Sequence, residues 1–313
     1  MEPSEVRRLK DVMKSLVRAE FPVRLAMLVA GVFLLSACAG RQAAETPPLP
    51  PLLDQPVYDI ESVDLLEMSN EMQQFVKTHM KGGNVEDTRA FSLAYAMLDP
   101  YLLDFTYDPR VTLTAAEAFR TRRGNCLTFS NMFIAMARSA GLNAWYREVE
   151  IEPEWSNVDD TLLVSLHVNA ATRERGNDYI IDVSRRQPRE GERHRRISDR
   201  EAEAQFYNNL GANALMANDL PMAYAYFRKA DETQPGLAFV WSNAGVVLNR
   251  NGQVDDAIMA YKTALALDDR HAVSLNNLYT IYLDKGDVAE AIAFQQQVER
   301  NRQRNPYYLH HLA

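Results

Sequence analysis

Apolar and polar positions along this chain change their period several times, and each change predicts a different element. Residues 25–35, LAMLVAGVFLL, are uniformly apolar. Glu61 to Met80 and Val85 to Leu98 carry apolar residues three and four apart, the spacing of amphipathic helices. Leu127, Phe129, Met132, Phe133, Ile134, Met136 and Ala137 are apolar nearly all round. That pattern predicts a buried helix opening at Cys126 and stopping at Ala140-Gly141. Alternation then takes over. Leu162–Val168 and Tyr179–Val183 read as strands, and Arg175-Gly176-Asn177-Asp178 as the turn that pairs them antiparallel. From about residue 201 helical spacing returns and persists.

This last region repeats itself every 34 residues. Leu210-Gly211, Ala244-Gly245 and Leu278-Tyr279 recur at that interval, as do Ala223, Ala257 and Ala291. Phe227 and Tyr261 share an offset, and Asn218, Gly252 and Gly286 mark equivalent turns. The period and the Tyr207…Leu210-Gly211 and Trp241…Ala244-Gly245 signatures resemble a tetratricopeptide array of about three units over residues 201–313. The third unit departs from the pattern at Tyr279 and Gln295, as a terminal capping repeat does. The resemblance implies a protein partner. Asn209, Asn243 and Asn277 form a repeated column with two readings: amides that hold a partner's backbone, or bonds within and between repeats, which the family pattern favours.

The two cysteines sit in separate motifs. Cys38 ends Leu35-Ser36-Ala37-Cys38 directly after the apolar run, which is too short to span a bilayer and follows Arg18 and Arg24. This resembles the bacterial lipoprotein signal. The resemblance implies removal of residues 1–37, lipidation of Cys38 and a place in the cell envelope. Ala39 after the cysteine favours the outer membrane, facing the periplasm. Residues 1–37 hold six Lys/Arg and four Asp/Glu, a net +2, which takes the chain's formal −8 to −10 for the remainder. An acidic chain without a concentrated basic face makes no electrostatic claim on nucleic acid, so membrane contact is assigned to the lipid. Residues 38–56 carry Pro47, Pro48, Pro50, Pro51 and Pro56 and read as an extended tether.

Residues 57–200 carry the candidate chemistry. Thr114 and Glu117 have capping-box spacing, Gly124 permits a tight turn, and Asn125 is a good N-cap, so Cys126 opens a helix. The positive end of the helix dipole favours negative charge there, and the first-turn amides suit a developing oxyanion. His167 and Asp182 fall on the two paired strands, within reach of each other and facing the Cys126 helix. Gly124-Asn125-Cys126, the helix, Ala140–Ala144, a strand with histidine and Tyr179–Asp182 resemble the transglutaminase-like superfamily over residues 85–185.

The resemblance implies an α+β papain-like core preceding the repeat solenoid, with Cys126 as nucleophile, His167 as base then acid, and Asp182 orienting the imidazole. Val168-Asn169 departs from the Ala-Trp that many members carry after the histidine. Trp145, Tyr146 and Trp155 either line a substrate cleft or pack; packing is the commoner fate. Arg185, Arg186, Arg189, Arg193, Arg195 and Arg196, interleaved with acids, read as a solvated connector. No metal-spaced ligand set or cofactor loop is expected. Two functions remain open: thiol-dependent acyl transfer or hydrolysis on peptide or glutamine-type amides, and a non-catalytic adaptor working through the repeats.

Overall fold

The computed structural model describes residues 46–80, 88–149, 156–158, 161–163, 167–183 and 193–304. The signal region, Cys38 and Trp155 lie outside them. Among the described residues, no helix is long and apolar enough to cross a membrane.

Among the described residues, two helices come first. α1, Asn70–His79, starts where Ser69 accepts a hydrogen bond from the Met72 amide, and α2, Arg89–Leu98, starts likewise at Thr88. The helix expected from Glu61 therefore begins nine residues later. Asp64 accepts from the Leu66 amide in a turn, and Val63 N–H is committed to the Tyr207 hydroxyl. Local side-chain acceptors compete with helix until the Ser69 cap. Residues 85–87 of the second expected helix lie outside the description.

Next come β1 (Thr106–Tyr107), α3 (Ala115–Thr121), β2 (Arg123–Gly124) and α4 (Cys126–Ser139). Leu127 through Ala137 are all buried, so α4 is the central core helix, as its all-round apolarity predicts. It packs on a four-stranded antiparallel sheet of order β7-β6-β3-β8, made from β3 (Asn143–Val149), β6 (His167–Glu174), β7 (Asn177–Ile181) and β8 (His194–Ile197). Arg175 and Gly176 both take positive φ in the two-residue β6–β7 turn, the geometry that matches hairpin twist. Of the run expected as one strand before His167, residues 164–166 lie outside the description; β5 (Thr161–Leu163) pairs with β4 (Ser156–Val158), and His167 belongs to β6. The basic connector also departs from expectation. His194–Ile197 pairs with Tyr146–Val149 as a fourth strand.

Six helices follow in three antiparallel pairs: α5 (Asp199–Met216) with α6 (Leu220–Thr233), α7 (Ala238–Arg250) with α8 (Val254–Leu267), and α9 (Ala272–Lys285) with α10 (Val288–Arg304). Asn218, Gly252 and Gly286 turn each pair, all at positive φ. A Cβ on Gly211 would stand 2.6 Å from the buried Phe227 ring, and one on Gly245 2.8 Å from Tyr261. The recurring glycines are where paired helices touch. The sheet domain and the repeats share one hydrophobic core. Polar contacts reinforce the junction: Arg138 grips Asp199 with two bonds of 2.6 and 2.9 Å, and Glu148 accepts from Arg195 and Gln205.

The expected tether is the largest departure. From Thr46 onward the Pro-rich segment lies along the repeats, with Pro50 buried and Leu49, Leu52 and Ile60 packed on the core. Composition alone missed this, because the segment's partners are two hundred residues away in sequence.

Candidate functional site

The loop before α4 is tied down strand by strand. β1 and β2 pair in parallel, Thr106 with Arg123 and Tyr107 with Gly124. Thr106 N–H donates to Arg122 C=O at 2.8 Å, Asp108 N–H to Gly124 C=O at 2.9 Å, and Asn125 N–H to Val111 C=O at 2.8 Å. The Thr114–Glu117 capping box is complete and starts α3, which ends at Arg122 in the left-handed conformation. Asn125 caps α4 by accepting from Thr128 N–H, while its own amide donates to Thr112 Oγ1 at 2.8 Å. Thr128 Oγ1, fully buried, accepts from Leu113 N–H and donates to Val111 C=O. Cys126 thus sits half-buried at the first position of a helix whose start is fixed from three sides.

Strand register assembles the rest. Val149 pairs with His167 and Arg147 with Asn169; Ala170 pairs with Ile181, so Asp182 follows β7 beside Asn169. Alternation puts Val168, Ala170 and Ile181 into the core and brings His167, Asn169 and Asp182 out together on the opposite parity. His167 Nε2 donates to Asp182 Oδ2 at 2.6 Å, which leaves Nδ1 as the ring's second nitrogen, and Cys126 lies close enough to raise the ring's pKa. The imidazole is 6% exposed. That burial opposes its charge, but the Asp182 carboxylate first and Cys126 second outweigh it, and the ring is pushed up to about 9. The three residues expected to meet are brought together.

Two contacts escape sequence reasoning. Asn169 Nδ2 donates to the same Asp182 Oδ2 at 3.2 Å, and Arg147 Nη1 reaches Asn169 Oδ1 at 3.5 Å, both side chains being buried. Asn169 was legible as a departure from the Ala-Trp pattern; its same-face position two residues after His167 was the available signal. Tyr107 is the other: its hydroxyl oxygen lies 3.8 Å from Cys126 Sγ. Nothing local marks it, because only the parallel β1–β2 pairing carries it there.

Of the two readings of the aromatics, Tyr146 takes the packing one. Tyr146 is fully buried and donates to Asn131 Oδ1 at 2.8 Å, since its strand parity turns it toward α4 and away from any cleft. Trp145 shares His167's parity, but lies four residues along β3 from His167's partner Val149, about 13 Å at strand rise. There the Arg196 guanidinium stacks on it, 4.8 Å from the ring centre. Of the repeat asparagines, Asn243 fits the favoured reading of bonds between repeats. Asn243 Nδ2 donates to Asn208 Oδ1 at 2.8 Å across neighbouring repeats, Asn277 lies beside the Tyr261 hydroxyl, and Asn209 is half-buried.

A comparison with family sequences bears on this arrangement: the Transglutaminase-like superfamily matches residues 81–171. The chain carries a transglutaminase-like domain there. This domain holds Cys126 and His167, with Asp182 just past its matched end. Among solved structures, a chain described as "Crystal structure of MamA" is similar at 21% identity, over 34% of this chain and 61% of that one, with a TM-score of 0.32. A chain of the "CopN-Scc3 complex" is similar at 21% identity, over 36% of this chain and 66% of that one, also at 0.32. The chain thus spans less than two thirds of either. Behind the transglutaminase-like domain the structure carries tetratricopeptide-like helical pairs, a class of surface that suits protein–protein contact.

Proposed function

We propose that the transglutaminase-like domain is a thiol-dependent acyl-transfer centre acting on amides of the peptide or glutamine type. Cys126 is its nucleophile, His167 its base and then acid, and Asp182 the group that orients the imidazole. The 2.6 Å His167–Asp182 contact beside a cysteine at a helix N-terminus is the observation that carries this reading. The thiol passes its proton to His167 Nδ1, and the sulfur attacks the carbonyl carbon. The oxygen's developing charge meets the first-turn amides of α4 and the Tyr107 hydroxyl. Collapse breaks the C–N bond; the amine leaves with the imidazolium proton, and a thioester remains. Water or a second amine, deprotonated by the neutral imidazole, resolves it to acid or new amide.

The repeats recruit the protein partner, and the lipid on Cys38 holds the chain in the envelope, at the outer membrane facing the periplasm. The helical pairs support the first statement; the signal motif supports the second. The test is the pH dependence of iodoacetamide labelling in the Cys38→Ser protein, where Cys126 is the sole thiol. Labelling that is rapid well below pH 7 and slows in His167→Ala is the expected result. Labelling that rises only near pH 8.5, as for a free thiol, and ignores the histidine would overturn the reading in favour of the adaptor.

A further inference from the structure

The Pro-rich segment is held in a way that describes a ligand. Tyr224 donates its hydroxyl to Pro50 C=O. Gln253 Nε2 donates to Pro51 C=O at 3.0 Å, while its Oε1 accepts from Leu53 N–H at 2.8 Å. Asn251 Nδ2 donates to Leu53 C=O at 3.0 Å, and its Oδ1 accepts from the Gln55 side chain at 2.9 Å. Arg228 donates to Tyr58 C=O at 2.9 Å and to Asp59 at 3.1 Å. These groups belong to α6 and to the α7–α8 turn, so the segment lies across the first two repeats.

Most of these bonds read the segment's main chain, and most are donors aimed at carbonyls. Proline has no N–H to satisfy, and an extended proline-rich stretch presents its carbonyls outward. The arrangement therefore suits such a stretch better than a helix, whose carbonyls are already used. Gln253 also gives up a local role to serve it. At the N-cap of α6, Asp219 accepts from the Met222 amide in the ordinary way; Gln253, at the N-cap of α8, makes no capping bond. Its amide is held by Asn251 at 2.8 Å and by Asp256 at 2.8 Å, pre-set for the Leu53 peptide unit. Apolar seats complete the site, with Pro50 buried and Leu49 and Leu52 half-buried against the core.

We propose that Tyr224, Arg228, Asn251 and Gln253 form a binding site for extended, proline-containing peptides of protein partners, occupied at rest by residues 50–59 of this chain. The inference deepens the recruiting role given to the repeats and is independent of the thiol chemistry. A resident segment competes at an effective concentration on the order of millimolar. A free peptide of tens-of-micromolar intrinsic affinity is then weakened roughly 10- to 100-fold in the intact chain.

The probe is a fluorescein-labelled peptide of residues 46–56, TPPLPPLLDQP, titrated into the full chain by anisotropy. The Leu49→Ser, Pro50→Ser, Leu52→Ser chain, whose own segment has lost its seats, is expected to bind it at least 10-fold more tightly than the wild type. Adding Asn251→Ala and Gln253→Ala is expected to remove the gain. Equal binding by wild type and loosened chain, or a gain that survives loss of both amides, overturns the proposal. The second readout needs no variant: millimolar unlabelled peptide is expected to speed exchange of the wild-type Leu53 amide proton at least tenfold. An unchanged rate overturns it.

Discussion

The buried His167–Asp182 pair makes a quantitative claim about stability. In the unfolded chain the imidazole titrates near its ordinary 6.5; in the folded chain it is raised to about 9. A folded pKa above the unfolded one means that the native state binds the extra proton between those values, so stability falls as pH rises. The contribution is fully present below pH 6.5, declines through the window and is gone above about pH 9. Two and a half units correspond to about 3 kcal/mol, and at 6% exposure little solvent screening reduces it. Asp182→Asn removes the largest single favourable contact, the hydrogen bond to the carboxylate, and leaves the burial that opposes the charge, so the imidazole moves back toward 6.5. Urea unfolding of both proteins at pH 6, 7.5 and 9 reads the difference, and an imidazole titration by NMR reads the pKa directly. The wild type is expected to lose up to about 3 kcal/mol more than the variant across this range. Cys126→Ala, which leaves the Asp182 hydrogen bond in place, should keep part of the slope. Parallel losses in wild type and Asp182→Asn would refute the reasoning, because the slope would then come from other groups.

Three further outcomes follow from packing and charge. Gly124→Ala places a Cβ 2.2 Å from Thr128 Cγ2, a side chain that cannot turn without breaking its bonds to Val111 and Leu113; a loss of ~2–3 kcal/mol in urea unfolding and slower Cys126 labelling are expected. Gly211→Ala drives a Cβ into the buried Phe227 ring, and despite a helix-propensity gain of up to ~1 kcal/mol it should lower the thermal midpoint of the repeats; an unchanged or raised midpoint would show that the ring gives way. Arg195→Ala leaves Glu148 and Glu201 without the guanidinium between them, so stability should fall by ~1–2 kcal/mol at neutral pH, and the deficit should shrink toward pH 5. Burial already holds the Glu148 carboxyl above its ordinary range and eases its protonation, and a deficit independent of pH would contradict this account.

What the sequence shows and what it hides divide along the range of the interaction. The Thr114–Glu117 box, the Asn125 cap, the Arg175-Gly176 turn and the 34-residue period are settled within a few residues or by repetition, and each was legible. Cys126, His167 and Asp182 were legible as a set through motif order and hairpin register. Tyr107 was not, since a two-residue parallel pairing carries it to the thiol. For Trp145 and Tyr146 cleft and packing both stayed open in the sequence, because adjacent aromatics on a strand point to opposite faces, and only the sheet's environment says which face is the core. Residues 46–66 were hidden most completely. Prolines and few large apolar groups correctly exclude an independent core, but they do not exclude a segment whose bonds are mostly supplied by distant residues.

That segment also shows how a partner could reach the repeats without disturbing the thiol. Its C-terminal end is anchored in the transglutaminase-like domain: Leu65 is buried, and its carbonyl accepts from Ala115 N–H, the first residue of α3, at 2.9 Å. Between Val63 and Leu65 the chain passes directly from the Tyr207 hydroxyl to that core. The stretch from Thr46 to Asp59 is different in kind. Most of it is exposed, its bonds beyond Pro50 are to surface amides and a guanidinium, and its apolar seats are only partly covered, Pro50 excepted, whose carbonyl is held by the buried Tyr224 hydroxyl. Peeling back to Asp59 therefore breaks one buried bond, Tyr224 to Pro50, and otherwise bonds at the surface, each worth about 1 kcal/mol net, and leaves the Leu65–Ala115 junction and the loop to Cys126 intact. The low-cost opening and the fixed junction lie a few residues apart, which is the arrangement an exchangeable peptide site requires if the neighbouring domain is to stay folded while the site changes occupant.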